Sequence, residues 1–121
     1  LFERLFKFAF VRNPWDLQVS SWHHIQRERP HIIPGNVRDF HDFIRWKLDK
    51  DRPYHYIVDT SMELQTDYLL DLHGRPIVDF VGRYEHLREH FNEACRRIGI
   101  KTPPLPHKRR AKDRDKDYRP Y

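Results

Sequence analysis

One junction near the start of this 121-residue chain limits its folding more than any other feature. Phe8, Ala9, Phe10 and Val11 form a short unbroken apolar run with the character of a fully buried strand. Arg12 ends the run, and Asn13-Pro14 opens a helix. Asn satisfies free amides at a helix start, and proline at the first helical position loses an N–H that would be unpaired anyway. Trp15, Val19 and Trp22 recur at 4- and 3-residue spacing with Ile25 beside them. That spacing predicts the core face of a helix running to about Arg29, where Pro30 stops it. A guanidinium at a strand's carboxyl end, beside a helix N-terminus, suits a phosphate. Ser20 lies seven residues after Asn13, nearly two turns on, and returns to the same helix face. Arg12 and Ser20 are therefore the first candidates to grip one anion from two sides.

The rest of the chain reads more coarsely. Residues 1–6 suggest the last turn of a helix, and residues 31–35 a Pro/Gly loop. Asn36 is the expected cap of a second helix with Val37, Phe40, Ile44 and Leu48 inward, widened by Phe43 and Trp46. Of the three tryptophans, Trp46 is the candidate for an exposed aromatic, and Trp15 and Trp22 for packing. Residues 54–66 lack a pattern and read as a loop. Residues 67–72 and 76–81 suggest two extended segments around a turn at 73–75, with 77–81 the second strand. Leu87, Phe91, Ala94 or Cys95, and Ile98 mark an amphipathic helix from near Tyr84 to Gly99. Strand, helix, helix, strand, helix predicts a layered α/β fold with a central parallel sheet, mostly helical in this chain. Two strands are too few for a stable parallel sheet, which implies a neighbouring strand outside this sequence.

Size and charge narrow the function classes. The chain amounts to one domain or part of one, with 101–121 a separate Pro-led tail. Residues 1–100 hold 15 Lys and Arg against 15 Asp and Glu, so the net charge of +5 lies wholly in that tail. A basic tail on a neutral body suits an anionic partner, and Lys108, Arg109 and Arg110 are candidates to close over one. The lone Cys95 excludes an internal disulfide, fits a buried mid-helix position, and favours a reducing, cytoplasmic setting. No apolar run approaches membrane-span length, and no signal-peptide pattern is present. His23 and His24 point about 100° apart on a helix and do not share a metal ion easily, so no metal site is expected. Arg83 and Glu85 follow the second strand. Arg83 is a candidate nucleotide contact, while Glu85 suits the start of the next helix.

Three segments carry a resemblance. FAFVRNPWDLQVSSW, from Phe8 to Trp22, resembles the 3′-phosphate-binding segment of the carbohydrate-type sulfotransferases, sulfotransferase family 2, which typically reads F-V-R-[DN]-P-[FW]-[DE]-R-L-V-S. DLHGRPIVDFVGRYEHL, residues 71–87, is similar to the family's "dG…vdfvGryE.L" segment. Pro104-Leu105-Pro106-His107 and Tyr118-Arg119-Pro120-Tyr121 are similar to its C-terminal "lPh…Yr.yY" stretch. The resemblance implies a P-loop-like three-layer fold. It also implies transfer of a sulfuryl group from 3′-phosphoadenosine-5′-phosphosulfate to a hydroxyl acceptor, a saccharide by the family type, without metal or nucleic acid. In the family the Arg and Ser of the first segment hold the donor's 3′-phosphate, and they fall on Arg12 and Ser20. The C-terminal loop of the family lies over the donor, which brings in Lys108, Arg109 and Arg110.

The sequence departs from the family pattern in two ways. Leu17 and Gln18 stand where Arg-Leu is usual, so any help from that second Arg is missing. The Pro-Lys-[TS]-Gly-type loop that wraps the 5′-phosphosulfate is absent, and the four glycines are scattered. The usual catalytic His between that loop and the 3′-phosphate segment would precede Leu1. No catalytic residue is therefore assigned here, although His24 is a conceivable substitute base. The expectation is a partial domain holding the 3′-phosphate half of a donor site. Its compartment would be cytoplasmic in a bacterial protein and the Golgi membrane in a eukaryotic one, with any anchor upstream. Two other readings stay open: a non-catalytic basic module that binds polyanions, and a degenerate sulfotransferase scaffold.

Overall fold

The structure is a computed structural model and describes residues 2–52, 61–106 and 116–121. Chain contacts divide it into two compact units, residues 1–13 with 64–108 and residues 14–63 with 109–121. The first carries the strands and the second most of the helix.

In the strand unit a 3₁₀ turn, Phe2–Arg4, leads into β1, Phe8–Val11. β1 pairs in parallel with β2, Phe80–Arg83, in the register Phe8 to Phe80, Ala9 to Val81, Phe10 to Gly82 and Val11 to Arg83. Alternation along β1 puts Phe6, Phe8 and Phe10 in a row, with successive ring centroids 6.3 and 6.2 Å apart. The register is pinned at its start. The Lys7 N–H donates to Asp79 Oδ2 at 2.7 Å, and the Asp79 N–H returns a bond to the Lys7 carbonyl at 2.7 Å. That backbone donor, helped by the Lys7 ammonium, holds the Asp79 carboxyl below the usual carboxylate range.

β2 begins three residues later than the apolar run from Ile77 predicts. The preceding stretch is also less extended than expected. A 3₁₀ turn spans Gln65–Tyr68, and one antiparallel bridge joins Leu70 to Pro76. The Asp71 carboxylate organises the turn at 73–75, accepting from the N–H groups of His73 and Arg75 and from Arg75 Nε at 2.8–2.9 Å. Gly74 takes φ +75° there. A side chain competing for backbone donors closes the turn before a ladder can lengthen.

β2 runs through a 3₁₀ turn, Tyr84–His86, into α3, Leu87–Ile98, which ends on Gly99 at φ +83°. Ala94 and Cys95 are buried, as the helical spacing predicts. Phe80 lies between His90, edge-on at 6.0 Å, and the Arg97 guanidinium at 4.8 Å, which ties α3 to β2.

In the helical unit α1 spans Pro14–Glu28, with Pro14 at the first helical position. Its core face holds Val19, Trp22 and Ile25. Trp15 does not belong to it and is 69% exposed. Apolar spacing gives the side of a helix that turns inward, but not how far the covering layer reaches along it.

The second helix, α2, spans Phe40–Leu48 and starts later than Asn36 suggests. The cap is Asp39, whose Oδ1 accepts from the Asp42 N–H at 2.8 Å, while the Val37 N–H closes a turn onto the Pro34 carbonyl. The inward face differs as well: Phe43 and Trp46 are buried and Leu48 is 60% exposed. Trp46 is thus core and not an exposed aromatic. Phe40, Phe43, Ile44 and Trp46 make so wide an apolar arc that spacing alone leaves its centre undefined. Packing against Trp22, 5.0 Å from the Phe43 ring, selects the Phe43 side.

Beside this core lies Lys47, 3% exposed. Its Nζ donates to Gln18 Oε1 at 3.0 Å, Ser21 Oγ at 3.1 Å and Ser61 Oγ, one acceptor for each of its three donors. Tyr121 also packs here, its hydroxyl 3.0 Å from His23 Nε2 and its ring against Phe40.

Two stability predictions follow from this packing. A Cβ at Gly82 would come within 2.5, 2.8 and 2.9 Å of three Phe10 ring atoms. Gly82→Ala is expected to cost about 1–3 kcal/mol in urea denaturation, and Phe10→Leu in the same chain to recover part of it. Strictly additive losses would rule out the clash. Second, hydrogen bonds from Arg96 and Arg97 lower the Glu93 carboxyl from 4.5 to about 2. A depressed carboxylate contributes stability above its ordinary value and loses it as pH falls through the lowered one. Thermal stability should therefore decline between pH 4.5 and about 2, less steeply in Glu93→Gln. An unchanged acid slope in that variant would refute the assignment.

Candidate functional site at the carboxyl edge of the strand pair

Both strands of a parallel pair end on the same edge, and open α/β sheets bind ligands outside that edge. Here β1 delivers Arg12 and β2 delivers Arg83, with Val11 and Arg83 the last paired residues. Both arginines thus stand at the carboxyl end of the pair, at successive register positions. The carboxylate among them is Glu85, whose Oε1 accepts from the Asn13 N–H at 2.6 Å. That backbone donor lowers the Glu85 carboxyl most, and the positive charges of Arg12 and Arg83 add to the effect.

Arg12 is held by two residues that local pattern does not single out. The Gln65 carboxamide takes both of its backbone groups, Oε1 accepting from the Arg12 N–H and Nε2 donating to the Arg12 carbonyl, each at 2.7 Å. The pair imitates a neighbouring strand for one residue beyond the last ladder pair. The guanidinium lies over the Tyr84 ring, 4.2 Å from its centroid. Arg83 is exposed, and its N–H donates to His90 Nδ1 at 2.7 Å, so α3 fixes the end of β2. That bond requires His90 to carry any neutral-form proton on Nε2.

The other candidates fall elsewhere. Ser20 is half-buried on α1, in the helical unit, whereas Arg12 belongs to the strand unit. Lys108, Arg109 and Arg110 lie outside the described residues, as does most of the loop expected at 54–66. His23 packs against Tyr121. Among the described residues no group of three or more His, Cys, Asp or Glu side chains is placed to hold a metal ion. No helix among them is long and apolar enough to cross a membrane.

Sequence spacing had no means of finding Gln65. It sits 53 residues from Arg12, in a stretch without periodicity, and its role is carried entirely by a tertiary contact. Tyr84 is part of the Gly-Arg-Tyr-Glu segment, but the pattern does not say which neighbour its ring meets.

A sequence model of the Sulfotransferase family matches residues 1–119. No curated protein and no solved structure gives a significant match. The family match spans both segments that meet at this edge, the one through Arg12 and the one through Arg83. With that extent, and with a parallel strand pair and helices of the mixed α/β kind, the chain belongs to the sulfotransferase family.

Proposed function

We propose that this chain contributes the 3′-phosphate end of the donor site in a sulfotransferase that uses 3′-phosphoadenosine-5′-phosphosulfate and a hydroxyl acceptor, a saccharide by its resemblance to the carbohydrate-type enzymes. The observation that carries the reading is the pair of arginines, Arg12 and Arg83, at one carboxyl edge, both close enough to act on the Glu85 carboxylate, with Arg12 immediately before the Asn13-Pro14 helix start. A phosphate dianion suits two such groups because each presents planar N–H donors matched to its oxygens.

The reaction moves a sulfuryl group from the donor's 5′-phosphate to the acceptor oxygen, while a base takes the hydroxyl proton and the bisphosphonucleotide leaves. This chain's residues serve binding and register. Arg12 and Ser20 grip the 3′-phosphate, which separates this donor from ordinary adenine nucleotides, and Arg83 reinforces the field. Lys108, Arg109 and Arg110 are proposed to close over the donor. The sequence holds no Gly-rich 5′-phosphosulfate loop, so alignment of the leaving group is not assigned to it.

Calorimetry with 3′-phosphoadenosine 5′-phosphate tests the reading. Arg12→Ala should lose about 2–4 kcal/mol of affinity and Ser20→Ala about 1–2 kcal/mol. Neither should change binding of the analogue without the 3′-phosphate. Unchanged affinity in Arg12→Ala, or equal losses for both ligands, would overturn the assignment. Binding that falls steeply with salt and ignores the 3′-phosphate would favour the polyanion-binding alternative.

No sulfuryl transfer is expected from residues 1–121 alone. Turnover by this chain would show that a group within it, with His24 the first to test, acts as the base.

A further inference from the structure

We infer that Gln65 and Tyr84 are positioning residues for Arg12: together they fix its backbone and the place of its guanidinium, and thereby set the affinity for a 3′-phosphorylated nucleotide. The inference rests on the proposed role of Arg12 and extends it to two residues that touch no ligand themselves.

The two contacts constrain different parts of Arg12. Gln65 engages its N–H and its carbonyl at 2.7 Å each, one residue past the last β1–β2 pair. A strand end without a partner frays, so this carboxamide keeps extended geometry where the sheet no longer supplies it. Tyr84 then offers its ring face to the guanidinium, 4.2 Å from ring centroid to Cζ. A guanidinium kept in place over the ring presents the fixed fork of N–H donors that a phosphate accepts as a two-pronged bond.

Tyr84 and Glu85 act as adjacent parts of one holder. Tyr84 orients the Arg12 side chain, while Glu85 takes the Asn13 N–H at 2.6 Å. The β2 end that presents them is itself anchored by the bond from the Arg83 N–H to His90. An arginine held at both backbone groups and on its side-chain face loses less conformational freedom on binding than a mobile one.

The test measures binding of 3′-phosphoadenosine 5′-phosphate and of its analogue lacking the 3′-phosphate to the full chain, with melting temperatures recorded in parallel. Tyr84→Leu and Gln65→Leu should each weaken the 3′-phosphorylated ligand by about 3- to 30-fold and leave the analogue unchanged. Tyr84→Phe, which keeps the ring face, should bind like the parent. If Tyr84→Leu does not fold, pentafluorinated phenylalanine at that position keeps the shape, reverses the ring's electrostatics and should show the same selective loss.

Parent-like affinity in Tyr84→Leu and Gln65→Leu, with Arg12→Ala still deficient, overturns this inference and leaves the role of Arg12 standing. Equal losses for both ligands overturn it too, because they report general destabilisation. Parent-like affinity in Arg12→Ala overturns the role of Arg12 and this inference with it.

Discussion

The parallel pairing of β1 with β2 is the constraint on which the candidate site depends. In a parallel pair the sequence offset between partners is constant, and here Lys7 meets Asp79 and Asn13 meets Glu85 at the same separation of 72 residues. The four paired residues between them form the ladder. Each end of β1 is closed by a carboxylate from the partner segment accepting a backbone N–H, so side chains continue the register where strand pairing stops. Closing so long a loop is costly in chain entropy, and four ladder pairs are a small return for it. The two carboxylate bonds, the row of Phe6, Phe8 and Phe10, and the cover given to Phe80 by α3 are what offset that cost.

Once the register is set, the chemistry of the edge follows from which residues come next. One step past the paired Val11 is Arg12, and one and two steps past the paired Arg83 are Tyr84 and Glu85. A register slip by one residue would exchange the inward and outward faces of β2 and remove the Gly82 space that the Phe10 ring occupies. The meeting of Arg12 with Tyr84 at this edge is therefore a property of the pairing, not of either segment alone. The same logic explains the carboxylate there: Glu85 fixes the Asn13 backbone and feels the positive charges of Arg12 and Arg83.

The helical unit solves a different problem. Its core of Trp22, Ile25, Ile32, Phe43 and Trp46 is small and strongly aromatic, which suits a chain of mean hydropathy −0.92. Lys47 shows how a cation is accommodated beside such a core: its ammonium lies over the Phe43 ring and its three donors meet the oxygens of Gln18, Ser21 and Ser61. Gln18 replaces the apolar residue usual at that point of the family pattern, and here it serves this buried network.

Much of the chain could be read locally, and the reason is visible in particular residues. An apolar run cut off by Arg12 and followed by Asn13-Pro14 bounds β1 and α1, because strand termination and helix initiation are decided within a few residues. Gly99 does the same for the end of α3, and the spacing around Cys95 places that residue inside. The three motif segments also identify the family without coordinates. What the sequence could not decide were choices between nearly equal local options or contacts between distant segments. Asp39 displaced Asn36 as a cap, Trp46 turned inward and Trp15 outward, because covering layers come from elsewhere in the chain. By itself, then, the sequence determined the family, the strand–helix junction and the presence of Arg12 at its hinge. Only the tertiary structure put Gln65 on the backbone of Arg12 and Tyr84 beneath its guanidinium, because those contacts span 53 and 72 residues, and the second follows from the parallel register.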